Sequence, residues 1–162
     1  MNTIPITFND SKASYTAVGG EHRSASTGLS AVLLNRGRYL RRSVFQELEK
    51  AGFDYVLSIE GPRETYDVEE LSLRFPFVRF LLLSRPISLG EQINLAASES
   101  PSAHFFVLWN DSRLLSAGGA QRITERLSDR SARLVSEGSL RASIYARSPP
   151  FRILALKQFR RS

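Results

Sequence analysis

The sequence contains no cysteine, so disulfide bonds and thiolate metal sites are excluded. It has only two histidines, His22 and His104, which are too few for a typical zinc site. His104 adjoins an apolar run, where a histidine is more often a structural residue than a ligand. No stretch reaches the roughly 18 apolar residues of a membrane span, and the N-terminus lacks the apolar core of a signal peptide. We therefore expect a soluble, cytoplasmic protein.

Three motifs of common α/β enzymes are also missing. The first predicted strand is not followed by Gly-x-Gly-x-x-Gly, which argues against a dinucleotide-binding Rossmann site. The absence of Gly-x-x-x-x-Gly-Lys-Ser/Thr excludes a P-loop NTPase. Without Gly-x-Ser-x-Gly, the chain also lacks the nucleophile elbow of an α/β-hydrolase.

Four apolar runs nevertheless predict strands, and helical periodicity lies between them. The predicted strands are residues 29–34, 53–59, 77–83 and 105–109. The predicted helices are residues 39–51, a short helix capped by Asp67 and closed by Pro76, residues 91–99, and residues 120–137. Continuous rather than alternating apolar runs are typical of strands covered on both faces. The order predicts an α/β fold with a mainly parallel sheet and helices on both faces.

The length of 162 residues suits one domain with a substantial core. Residues 1–28 are polar and contain Gly19-Gly20, so we expect an irregular leader that includes a short strand at residues 4–8. Residues 29–162 are expected to form a single α/β domain. Its core is residues 29–117, and residues 118–162 add a helix and a basic C-terminal segment, with closing strands at 140–146 and 152–156.

Polar residues follow each predicted strand. They are Asn35 and Arg36, then Glu60, then Ser84 and Arg85, and finally Asn110, Asp111 and Ser112. Ligands of open parallel sheets bind beyond the carboxyl ends of the strands, where these residues are expected to meet. Arginines suit phosphate groups, and a carboxylate accepts hydrogen bonds from a base or ribose hydroxyl. The oxygens of Asn-Asp-Ser suit Mg²⁺ or Mn²⁺, although these residues also simply form turns.

Residues 30–115 resemble the nucleotide-sugar-binding half of the family-two-like glycosyltransferases of GT-A fold. Asn35-Arg36 is similar to the turn after the family's first strand, and Glu60 in Ser-Ile-Glu-Gly-Pro is similar to the acid near the uracil. Ser88-Leu89-Gly90, followed by Ile93-Asn94-Leu95-Ala96-Ala97, echoes the family's Asn-x-Gly and helix. The family's Asp-x-Asp metal motif falls on Trp109-Asn110-Asp111-Ser112, which keeps a single acid.

The resemblance implies a Rossmann-like GT-A domain that binds a nucleotide-sugar donor with Mn²⁺ or Mg²⁺ and transfers the sugar to an acceptor hydroxyl. It assigns the nucleotide to Asn35, Arg36, Glu60, Arg85, Gly90 and Asn94. It assigns the metal to Asp111 and Asn110, with Asn110 alternatively on the ribose. The acceptor and the catalytic base cannot be named, because the segment after Leu115 is short for the family's second half. The resemblance therefore implies a glycosyltransferase or its donor-binding portion.

The basic C-terminal segment favours an alternative of another class. The last 22 residues hold six basic side chains and no acid, which accounts for the whole net charge of +6. Of the 22 basic residues in the chain, 19 are arginine, which suits bidentate phosphate contact. A non-catalytic α/β module could use this segment to bind an acidic partner, an anionic membrane or nucleic acid, and so sit at a membrane periphery. Alternatively, the same basic composition is typical of a C-terminal segment that is only solvated and binds no partner.

Overall fold

A computed structural model describes residues 3–5, 13–20, 28–34, 43–62, 66–102, 104–110, 117–128 and 154–157. Seven strands of this part form one sheet in the order β1-β2-β5-β4-β3-β6-β7. The strands are β1 (Thr3–Pro5), β2 (Ser14–Val18), β3 (Leu29–Leu34), β4 (Val56–Glu60), β5 (Val78–Leu83), β6 (His104–Trp109) and β7 (Leu154–Lys157). The predicted closing strand at 152–156 overlaps β7, whereas the one at 140–146 lies outside the described residues.

Four parallel strands form the centre of the sheet. β3 pairs with β4 on one side and with β6 on the other, and β4 pairs with β5. All four overlap the predicted strands, which are confirmed as neighbours in one parallel array. The four parallel strands lie side by side in the order β5-β4-β3-β6. If they are numbered one to four along the chain, this is the order 3-2-1-4 found in doubly wound nucleotide-binding sheets. The structure thus has an α/β fold with a Rossmann-like core.

The two edges of the sheet are antiparallel, so the sheet is mixed. β1 pairs with β2 and β2 with β5 at one edge, while β7 pairs with β6 at the other. The expected short strand at residues 4–8 overlaps β1 at residues 4 and 5, whereas the expectation of an irregular leader is wrong for residues 14–18. Gly19 and Gly20 form a tight turn with φ of 72° and 62°, and a Cβ on Gly20 would lie 2.9 Å from Arg79 Cα. These glycines let the end of β2 approach the backbone of β5.

Four helices of the described part cover both faces. They are α1 (Ser43–Lys50), α2 (Val68–Arg74), α3 (Leu89–Glu99) and α4 (Gly119–Ser128). Asp67 caps α2 as predicted, because its side chain accepts from the Glu70 N–H. α3 begins two residues before the predicted start, since Ser88 and Glu91 form a capping box. The predicted ends of the first and last helices, residues 39–42 and 129–137, lie outside the described residues.

Two apolar layers hold the helices on the sheet. One layer joins β3, β4, β5 and β6 to α1, α2 and α4, and contains Phe45, Phe80 and Ala120. The other layer joins the opposite sheet face to α3 through Leu95 and Ala96. Phe45 contacts Phe75 and Phe80 with ring centroids 5.2 and 5.6 Å apart. The first layer defines what we call the α1 face, and the second defines the α3 face.

Candidate functional site at the carboxyl ends of the strands

Glu60 ends β4 and is a completely buried carboxylate with 0% exposure. Its Oε1 accepts a hydrogen bond from Ser58 Oγ, and its Oε2 accepts one from Tyr66 Oη. A buried charge is costly unless hydrogen bonds compensate its lost hydration, and the two hydroxyl groups supply that compensation. Val56 lies in the α1-face layer, so strand alternation puts Ser58 and Glu60 on the α1 face.

Asn110 directly follows β6 and is only 3% exposed. Its backbone N–H donates to Leu34 O at 3.1 Å, so the parallel ladder continues through this residue. Phe106 and Leu108 lie in the α1-face layer, and alternation along the strand places Asn110 on the same face. Among the described residues, the buried Nδ2 has no hydrogen-bond partner. Such an unsatisfied donor is rare in native proteins and calls for an explanation.

The sheet register brings Glu60 and Asn110 to one end of one face. Leu33 in β3 is aligned with Ser58 in β4 and with Leu108 in β6. Glu60 and Asn110 lie two residues beyond Ser58 and Leu108, with β3 between them. Two strand spacings correspond to about 10 Å between their Cα atoms. The order of strands reverses beside β3, and ligands of such sheets bind at this switch point.

The other described residues of the predicted site lie on the loop and helix after β5. Arg85 is exposed at the same end of the sheet, directly after β5. Gly90 and Asn94 are exposed on α3, which packs on the α3 face rather than beside Glu60 and Asn110. A Cβ on Gly90 would meet nothing within 4 Å among the described residues, so the first turn of α3 has open space around it.

Three polar residues at this end of the sheet escaped the sequence reasoning. Ser58 could have been found, since a residue two positions before Glu60 in a strand shares its face. Tyr66 could not have been found from residue spacing, because it contacts Glu60 from outside the strand. Gln92 in α3 is 8% exposed, and its Oε1 has no partner in the described part, while Nε2 donates to Ile87 O at 3.5 Å.

The opposite, amino-terminal end of the strands carries polar clusters that bond among themselves. Ser30 Oγ and Ser102 Oγ are 2.7 Å apart, and Ser100 Oγ donates to Ser30 Oγ at 3.3 Å. These serines therefore compensate one another's burial and need no ligand.

A second cluster lies on the α3 face and joins β2, β5 and α3, with Tyr15 opposite Leu83 in the sheet. Tyr15 Oη donates to Glu99 Oε1 at 2.8 Å, and Arg79 Nε lies 3.5 Å from Glu99 Oε2. Burial, followed by the hydrogen bond to Glu99, raises the pKa of Tyr15, and burial also raises the pKa of Tyr55. The cluster ties the antiparallel strand β2 to α3, so we assign it a structural role.

The predicted metal site is only partly within the described residues. Asp111 lies outside them, as do the predicted phosphate-turn residues Asn35 and Arg36. Within the described part, no group of three or more His, Cys, Asp or Glu side chains could hold a metal. Asn110 fits two kinds of ligand, because an amide offers Nδ2 to a phosphate or hydroxyl oxygen and its carbonyl oxygen to a hard cation.

Comparison with protein-family models, with curated proteins and with solved structures gives no match. Among the described helices, none has the length and apolar character needed to cross a membrane. The inference of function therefore rests on the residues at the carboxyl ends of the strands.

Proposed function

We propose that the chain binds a nucleotide-sugar at the carboxyl ends of its parallel strands, as a glycosyltransferase of GT-A type or its donor-binding portion. Glu60 accepts a hydrogen bond from the base, and Arg85 and Arg36 meet the phosphates. Asn110 and Asp111 hold the ribose or a divalent cation, and Asn35 contributes to the same donor site. Gly90 and Asn94 approach the donor from α3, on the opposite sheet face, across the carboxyl ends of the strands. The acceptor and the catalytic base are not assigned.

The unsatisfied Nδ2 of Asn110 is the single observation that carries this proposal. A buried donor without a partner destabilises the free protein by about 1–3 kcal/mol. A ligand oxygen that accepts from Nδ2 removes this cost, so the residue makes physical sense in a binding site. Its position beside the switch point, on the face that also holds Glu60, agrees with where ligands of doubly wound sheets bind.

The charges around the site suit a nucleoside diphosphate. Glu60 is an acceptor for the N–H or O–H groups of a nucleoside, whereas the exposed Arg85 suits the negative phosphates. Asp111 and the Asn110 carbonyl would hold Mn²⁺ or Mg²⁺, which when bound neutralises charge on the diphosphate leaving group. Glu60 and Arg85 orient the donor so that its anomeric carbon is presented to an acceptor hydroxyl.

Calorimetry with UDP and GDP, in EDTA and in Mn²⁺, tests the proposal. We expect binding by the wild-type protein that Mn²⁺ strengthens. Glu60→Gln should weaken binding in both buffers by roughly 1.5–3 kcal/mol, or about 10- to 150-fold, since a charged acceptor is lost. Asp111→Asn should abolish the gain from Mn²⁺ and leave the binding in EDTA unchanged.

The matched control is Glu99→Gln at the other end of the sheet. Glu99 has a side-chain exposure of 20% and, like Glu60, is a carboxylate that accepts a hydrogen bond from a tyrosine hydroxyl. It should leave nucleotide affinity unchanged. Absence of UDP and GDP binding in both buffers would refute the proposed function.

A further inference from the structure

Among the described residues, two hydroxyl groups donate to Glu60, and they come from different parts of the chain. Ser58 lies in the same strand, is completely buried, and is fixed by pairing with Leu33 on one side and Phe80 on the other. Tyr66 lies between β4 and α2, directly before the cap residue Asp67. The Ser58 donor is thus an integral part of the sheet, whereas the Tyr66 donor comes from a connection between elements.

Tyr66 also forms part of the cover of the carboxylate. Glu60 has no exposed surface, while Tyr66 is partly exposed and its ring packs against the α1-face layer. Its hydroxyl meets Oε2, whereas Ser58 meets Oε1 from within the strand. Of these two donors, Ser58 is completely buried and Tyr66 is partly exposed, so Tyr66 is the one that a ligand can replace without opening the sheet.

We infer that Tyr66 is a latch over Glu60, which a nucleobase N–H displaces from Oε2 when the nucleotide binds. This inference rests on the proposed function. The exchange replaces one donor by another, so the buried carboxylate keeps its hydrogen bonds in the free and bound states. Ser58 stays in place throughout and holds the carboxylate in position.

The latch makes the site selective for bases that carry a ring N–H. Uracil offers N3–H and guanine offers N1–H on the edge used for base pairing. A base methylated at that nitrogen has no hydrogen to donate to Oε2, so it cannot replace the hydrogen bond from Tyr66. Such an analogue should leave the latch closed, because the exchange would then lose a hydrogen bond to a buried carboxylate.

The test compares Tyr66→Phe with Ser58→Ala, since each removes one hydroxyl from the same carboxylate. Calorimetry measures UDP and GDP, together with N3-methyl-UDP and N1-methyl-GDP. Removing the competing Tyr66 hydroxyl should strengthen binding of UDP or GDP about tenfold relative to wild type. Ser58→Ala should not strengthen it, and the methylated nucleotides should gain nothing from Tyr66→Phe. Thermal unfolding checks that both variants are folded, and phenylalanine keeps the aromatic ring that packs against the α1-face layer.

Three results would overturn the latch. Tyr66→Phe could bind the nucleotides no better than wild type, in which case Tyr66 merely holds the carboxylate. The methylated nucleotides could gain as much as UDP or GDP, and then the gain does not come from Oε2. Finally, wild type and Tyr66→Phe could both fail to bind any nucleotide, which overturns the proposed function together with the latch. The first two results overturn the latch alone.

Discussion

Replacing Asn110 by leucine should make the free protein more stable while it weakens nucleotide binding. Both side chains branch at Cγ, so the substitution keeps the outline of the residue and removes its amide. The amide Nδ2 is buried and has no partner in the described structure, which costs about 1–3 kcal/mol. Leucine is somewhat larger than asparagine and loses part of this gain to crowding. We expect a net stabilisation of about 1 kcal/mol.

Urea unfolding followed by circular dichroism measures this change. A stabilisation of about 1 kcal/mol corresponds to roughly 2–4 °C in Tm for a chain of this size. Calorimetry on the same variant should show weaker UDP or GDP binding, because leucine can neither donate to a ligand oxygen nor coordinate a cation. A gain in stability that accompanies a loss of binding is the expected signature of a residue kept for function.

Ser30→Ala is the matched control, since Ser30 is a buried polar residue with partners. Its hydroxyl lies 2.7 Å from Ser102 Oγ and accepts from Ser100 Oγ. Its removal leaves these hydroxyls without that partner and should destabilise the protein by about 1–3 kcal/mol. Nucleotide binding should not change, because the serines lie at the other end of the sheet. If Asn110→Leu destabilises the protein as much as Ser30→Ala does, the reasoning about Nδ2 is refuted.

Two further predictions concern alkaline pH and the basic C-terminal segment. The fold raises the pKa values of Tyr15 and Tyr55 and so favours their neutral forms. The stability that this preference contributes is fully present below tyrosine's ordinary pKa of about 10. It is lost as the pH rises above that value and the two tyrosines ionise. Absorbance at 295 nm should show these two tyrosines ionising above the ordinary pKa of about 10, and ionisation of all five tyrosines near pH 10 with the fold intact would contradict this. Arg160→Ala with Arg161→Ala should weaken binding to anionic vesicles or random nucleic acid at low salt and leave Tm nearly unchanged, whereas salt-independent binding would count against an electrostatic segment.

The central strands were predictable because their residues carry a strong and local signal. A parallel strand buried on both faces favours a run of mostly apolar residues, and each of the four central strands has one, with single polar residues such as Ser58 and Arg79 inside it. The strand at Ser14–Val18 was missed, since its short Tyr-Thr-Ala-Val core is flanked by polar residues and glycines. This strand pairs with β5, with Tyr15 opposite Leu83, and β5 is so far along the chain that no local pattern reveals the pairing.

The candidate site was predictable only in part. The positions of Glu60 and Asn110 at strand ends followed from where the apolar runs stop, and the structure places both on one face. The contact of Tyr66 with Glu60 depends on how the chain returns from β4 towards α2, and the unsatisfied state of Asn110 Nδ2 depends on its surroundings. Neither the Tyr66 contact nor the unsatisfied Nδ2 can be predicted from the spacing of residues along the sequence.

The most direct test of the account is to map nucleotide binding onto the sheet by NMR. Backbone amide signals of ¹⁵N-labelled protein are recorded during titration with UDP and with GDP. The account predicts shifts at the carboxyl ends of the strands, at Glu60, Arg85, Gly90 and Asn110, with little change at Ser30, Arg79 and Ser102 at the amino ends. Shifts confined to the amino ends, or no shifts at saturating nucleotide, would contradict it.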